Sequence, residues 1–153
     1  MAEITKQAGD CHSDSPAVTV GKGWTFVVPG PPQPKERARR GKSGKWYTPT
    51  RTAAYMKKVK QCALVAGVRR SEAGLYELTI KMWFKDRRRR DVDNVAKGVG
   101  DSLNGTAWAD DSQVVKVSAI RMGTDKDNPR AEVSIIPISE AEYLDFLAET
   151  CRS

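Results

Sequence analysis

Between Tyr76 and Lys85 apolar and polar side chains alternate without a break. Tyr76, Leu78, Ile80, Met82 and Phe84 fall on one face, and Glu77, Thr79, Lys81, Trp83 and Lys85 on the other. A period of two sustained over ten residues describes a strand with one face in a core. The remainder of the chain must therefore supply strands to pair with it and helices to cover its apolar side. Trp83, a large apolar ring on the polar face, marks a place where a helix or a second copy of the chain would be received.

Other segments meet that demand. Trp24 to Val28 alternates in the same way, with Trp24, Phe26 and Val28 on one face, and the proline-rich stretch 29–34 stops it because proline cannot donate to a ladder. A basic loop follows, from Lys35 to Pro49. Tyr55, Val59, Cys62, Ala63 and Ala66 recur at helical spacing and predict a helix from Thr50 to about Val68. A second helix is expected from about Asn94 to Asn104, with Val95, Val99 and Leu103 as its buried stripe and Asn104-Gly105 as its stop. Gly98 and Gly100 each weaken such a helix by roughly 1 kcal/mol. Val114 to Met122 and Ala131 to Pro137 read as an antiparallel pair, and Ser139 is placed to cap a short acidic helix. The order strand, helix, strand, helix, strand, strand predicts an α+β domain around a small mixed sheet. Its parts are a flexible leader over 1–22, a folded domain over 23–138 and an acidic tail or short helix over 139–153.

Charge narrows the partners. The 153 residues carry 26 Lys and Arg against 19 Asp and Glu, a net +7, which favours a polyanion. The excess is local: Lys35 to Lys60 holds ten basic residues and one acidic residue, Glu36. Lys35, Arg37, Arg39, Arg40, Lys42 and Lys45 are candidates for gripping a nucleic-acid backbone, and Trp46 and Tyr47 among them could stack on unpaired bases or anchor the loop. Cys11, Cys62 and Cys151 are odd in number and widely spaced, which argues against a disulfide framework or a zinc site and fits a reducing cytoplasm. No apolar run approaches the roughly 18 residues of a membrane helix, and the N-terminus does not read as a signal peptide. The single histidine, His12, lies in the polar leader, so a catalytic role would have to be filled without a histidine base.

The stretch DRRRRDVDNVAKGVGDSLNG, from Asp86 to Gly105, carries the chemistry. Asp91 and Asp93 lie two apart where the strand gives way to the helix. In extended backbone they point the same way and can share one cation, whereas on a continuing helix they diverge by about 200°. Lys97 lies one helical turn beyond Asp93, and Asp110-Asp111 stands at the start of the next strand. Carboxylates around an open position suit Mg²⁺ or Mn²⁺, which activates water and stabilises charge on a phosphoryl group without histidine. Arg87, Arg88, Arg89 and Arg90 next door can hold phosphates. The structural alternatives are an N-cap at Asp91 or Asp93, a Lys97 ladder with Asp93 and Asp101, and plain loop roles for Asp110 and Asp111.

DRRRRDVDNVAKGVGDSLNG, followed by WADDSQV, resembles the central signature of the RusA family of Holliday junction resolvases. VVPGPPQPKERAR and YTPTRTAAY resemble its first strand, basic loop and the start of its first helix. The resemblance spans Phe26 to Pro137. It implies a homodimer that uses Mg²⁺ or Mn²⁺ to nick four-way DNA junctions in two strands, with Asp91, Asp93 and Asp111 on the metal-binding positions, Lys97 on the active-site lysine and Asp110 as a lesser assistant. The rival reading is a non-catalytic nucleic-acid-binding protein with a structural acidic cluster; an RNA-directed nuclease is a third.

Overall fold

The alternating segment forms the heart of the sheet. In the computed structural model, which describes residues 23–152, β4 (Leu75–Phe84) lies between β6 (Arg130–Ile138) and β5 (Val114–Thr124), and β1 (Trp24–Pro29) borders β6, giving the order β1-β6-β4-β5. β6 runs antiparallel to both β1 and β4, while β5 runs parallel to β4. The architecture is therefore α+β with a small mixed sheet, as the element order predicted. The leader, with Cys11 and His12, lies outside the described residues.

All five apolar side chains of the alternation, Tyr76, Leu78, Ile80, Met82 and Phe84, are buried. Two helices supply the cover: α1 (Thr50–Val65) contributes Tyr55, Val59, Cys62 and Ala63 to the core, and α2 (Val92–Leu103) contributes Val95, Ala96, Val99 and Leu103. The opposite face carries paired charge, with Lys116 bonded to Glu77 at 3.0 Å and Arg130 to Glu132 at 3.2 Å. Trp83 on that face is half-buried beneath the Arg130 guanidinium, 4.0 Å from the ring centroid.

The antiparallel pairing expected between the last two strands does not form. β4 is inserted between β5 and β6 and uses both of its backbone edges. A β5–β6 hairpin would leave one edge of the most apolar strand unpaired, at the cost of its ladder hydrogen bonds. The connection instead crosses the end of β4, where the Asp125 amide donates to the Phe84 carbonyl at 2.7 Å. The parallel β4–β5 pair needs a crossover, and α2 is that crossover.

Smaller features complete the frame. The basic loop is not wholly irregular, because β2 (Arg39–Arg40) and β3 (Trp46–Tyr47) pair as a two-stranded ribbon. Gly105, just beyond α2, has φ +79, the left-handed conformation that the Asn-Gly stop anticipates. α3 (Glu140–Thr150) begins at Ser139 in a reciprocal capping box with Glu142 and buries none of its side chains. Among the described residues Cys62 is buried in the core and Cys151 is exposed and free. No helix among the described residues is long and apolar enough to cross a membrane.

Candidate active site

α2 starts two residues earlier than its apolar stripe suggests. Asp91 is its N-cap, accepting from the Asp93 amide at 3.0 Å, the Asn94 amide at 3.3 Å and the Asn94 side-chain amide at 2.8 Å. These bonds satisfy orphan donors of the first turn and so extend the helix back to Val92. Asp93 is consequently helical, and the extended geometry that would aim Asp91 and Asp93 at one cation is not adopted. The two carboxylates border different hollows on either side of the helix start.

The first hollow, about 600 Å³, lies between α2 and β5. Asp93, Lys97 and Asp101 border it from α2, Asp111 from the turn before β5, and Leu78, Trp108, Val114 and Val117 form part of its apolar wall. Asp93, Lys97 and Asp101 follow at four-residue spacing and share one helix face. Among the described residues Asp93, Lys97 and Asp111 have no side-chain hydrogen bond or ion pair, so the ladder from Lys97 to its neighbours is not formed. Asp101 is paired instead with Lys35.

The second hollow, about 540 Å³, is bordered by Asp91 and Asn94 at the helix start, by Lys35, Glu36, Arg37 and Arg39 from the basic loop, and by Arg89 and Arg90. Arg90 is committed elsewhere: it forks onto Asp86 at 2.6 and 3.1 Å and lies 5.4 Å from the Phe84 ring centroid. The Arg90 hydrogen bonds, helped by the Arg88 amide, lower the Asp86 pKa to about 2. Arg121 covers the same ring at 4.8 Å and donates to the Arg88 carbonyl. Arg90 thus shapes the turn, while Arg87, Arg88 and Arg89 stay exposed with no ion pair among the described residues. In the ribbon, Lys42 and Lys45 are exposed, and Arg40 donates to the Gly44 carbonyl. Trp46 and Tyr47 are 70% and 51% exposed, so they do not anchor the loop.

Asp110 has a local role. It caps the 3-10 turn Asp111–Gln113 in a capping box, and its bonds from Ser112 lower its pKa. Gln113 is a position that the sequence reading missed. Its side chain accepts from the Ala109 and Asp110 amides at 2.8 and 3.0 Å and donates to the Ser71 and Gly74 carbonyls. It ties the turn bearing Asp111 to the loop after α1. The D-x-x-Q spacing from Asp110 to Gln113 was the available signal. Gln113→Ala should lower stability by about 1 kcal/mol, because the part-buried Ala109 and Asp110 amides lose their acceptor, and the melting temperature by roughly 3 °C. An unchanged thermal transition would remove Gln113 from this role. Trp108, fully buried, and Asp101 were likewise not singled out as site residues.

Hard oxygen donors suit a divalent ion, and Asp93 and Asp111 have uncommitted carboxylates on one hollow. No three acidic, histidine or cysteine side chains among the described residues form a group able to hold a metal ion. Mg²⁺ tolerates such sparse ligation, since it commonly takes one or two carboxylates and fills its remaining positions with water and substrate phosphate.

A small basic α+β domain that sets carboxylates and a lysine in a groove beside an arginine-lined hollow defines a class of proteins fitted to meet a polyanion. Residues 29–136 match the family described as Endodeoxyribonuclease RusA, and the chain belongs to that family. It is 30% identical over 113 residues to the crossover junction endodeoxyribonuclease RusA of Escherichia coli K12, covering 73% of this chain and 92% of that protein. The corresponding proteins of Shigella sonnei strain Ss046 and Enterobacteria phage 82 give the same identity and coverage.

Proposed function

We propose that this protein is a structure-selective endodeoxyribonuclease that resolves four-way DNA junctions by hydrolysing phosphodiesters in two strands. The observation that carries this reading is the convergence of Asp93, Lys97 and Asp111 on one hollow with none of their charged groups paired among the described residues. Asp93 and Asp111 are the residues that would hold Mg²⁺ or Mn²⁺ in that hollow, and the family resemblance adds Asp91, which caps α2 and borders the neighbouring hollow. Such an ion supplies a more acidic water and charge stabilisation at the phosphoryl group. Lys97 offers its ammonium to a phosphate oxygen. Arg37, Arg39 and Arg89 receive the DNA backbone in the neighbouring hollow, Arg87, Arg88, Lys42 and Lys45 extend that surface, and Trp46 and Tyr47 stack on bases opened at the branch. Lys35 and Arg90 contribute by shaping this surface, since each is bonded to a carboxylate and largely covered, whereas Arg39, though bonded to Glu36, keeps 65% of its side chain exposed.

Two cuts in one junction need two sites, and a two-fold homodimer matches the near two-fold symmetry of the substrate. β5 lies at the edge of the sheet with Val117, Ile120 and Met122 exposed, which provides apolar contact area and free backbone groups for a second copy. Trp83, beneath Arg130, is a weaker candidate for that contact.

The decisive experiment incubates end-labelled four-way junction and linear duplex with and without Mg²⁺. Selective, Mg²⁺-dependent cutting of the junction is expected; binding without cutting would favour the non-catalytic reading, and equal cutting of a matched RNA junction would favour an RNA-directed nuclease. Light scattering should give about twice the 16.9 kDa chain mass, and a cruciform plasmid should yield mainly linear product. A monomer that leaves singly nicked circles would defeat the dimer.

A further inference from the structure

The two hollows are joined through α2 by one ion pair. Asp101 borders the groove that holds Asp93, Lys97 and Asp111, whereas Lys35 borders the arginine-lined hollow, and their side chains are bonded to each other. Neither partner is freely solvated, with 33% of the Lys35 side chain and 27% of the Asp101 side chain exposed.

The backbone around Lys35 is held as closely. Its amide donates to the Asn94 carbonyl in the first turn of α2 at 3.0 Å, and the next amide, of Glu36, donates to the buried Thr52 hydroxyl on α1 at 3.2 Å. A Cβ on Gly98 would stand 3.4 Å from the Lys35 Cβ, so the strap packs directly against the backbone of α2. Glu36 then bonds Arg39 at 2.9 Å.

Resting on the proposed junction-cleaving function, we infer that Asp101 is a positioning residue for DNA. By fixing Lys35 it holds the strap that carries Arg37 and Arg39 against α2, so that their grip on the DNA backbone adds to junction affinity. Asp101 in this role is not a ligand of the metal, and Lys35 is not itself a phosphate contact.

The test compares Asp101→Asn, Lys35→Met, their combination and the charge-reversed pair Asp101→Lys with Lys35→Asp. Each single variant should raise the junction Kd, measured in Ca²⁺, and the KM in Mg²⁺ by about tenfold, which is roughly 1.4 kcal/mol. The turnover number should stay within about twofold of wild type. The combination should be no worse than either single variant, as expected of two groups acting as one unit, and the reversed pair should recover most of the affinity. Hydrogen exchange, read without DNA, should show the Lys35 and Glu36 amides exchanging faster in Asp101→Asn. Amides as protected as in wild type would overturn the strap. A fall in turnover with a higher Mg²⁺ requirement, persisting in the Lys35→Met background, would overturn the positioning role and place Asp101 on the ion. A wild-type chain that binds no junction would sink the functional reading, in an arm separate from the exchange result.

Discussion

Asp93→Asn and Asp111→Asn should each abolish junction cleavage while leaving junction binding in Ca²⁺ nearly intact. Both substitutions keep size and shape and remove only the charge that a hard cation needs. Charge stabilisation by a metal is worth several kcal/mol in the transition state, so the rate should fall roughly a thousandfold or more. Binding should survive because affinity resides in the basic surface. Asp91→Asn separates two roles on one residue. Asparagine caps a helix about as well as aspartate, so α2 should keep its start and thermal stability should hold; lost cleavage in this variant would report on the charge, and full cleavage would leave Asp91 as a cap alone. Lys97→Ala should slow cleavage strongly without lowering stability, since Lys97 has no ion pair among the described residues to lose. Full activity in Asp93→Asn or Asp111→Asn would dismiss that residue from the site.

Replacing Arg37, Arg39 and Arg89 together with glutamine should weaken junction binding about a hundredfold near physiological salt and flatten its salt dependence. Each lost phosphate contact removes about 0.9 from the log–log slope on duplex DNA. The same number of neutral substitutions at Arg40, Lys42 and Lys45, on the ribbon away from the second hollow, should cost less. An unchanged slope in the first set would mean that the hollow beside α2 does not receive the backbone. A larger loss in the second set would move the main DNA contact out to the ribbon, beside Trp46 and Tyr47.

The strands were legible wherever one face is buried. The alternation predicted from Tyr76 is β4, shifted by one residue at its start, and Trp24 to Val28 is β1 with one more residue. The pairing of β5 was not legible, because periodicity tells which face of a strand is buried and says nothing of its neighbour. Proximity along the chain suggested a hairpin, and the two free edges of β4 decided otherwise. The start of α2 was misplaced because Asp91, Asp93 and Asn94 are residues that favour turns and caps, and the cap that determines the boundary is a hydrogen-bonding event. That displacement of two residues separates Asp91 from Asp93 and divides a presumed single acidic cluster between two hollows. Asp101 lay in plain view as a turn-spaced neighbour of Lys97, yet its partner is 66 positions away in sequence, beyond the reach of any local rule. In the arginine run the sequence showed four equal charges, and only packing against Phe84 and Asp86 sets Arg90 apart.

The insertion of β4 between β5 and β6 also bears on how the chain acquires its shape. In the four-stranded sheet no strand is joined to its partner by a tight turn. Tyr76 must find Val114 and Pro137, and Trp24 must find Ile135. Each pairing closes a long loop before it is rewarded, the condition under which domains fold in roughly milliseconds to seconds. During synthesis β1 leaves the ribosome first and waits longest, since the strand that joins it to the rest is the last of the sheet to be made. Until residues 130–138 emerge, Phe26 and Val28 have no ladder to hold them, and the exposed interval of a half-made chain is fixed by the position of its final strand.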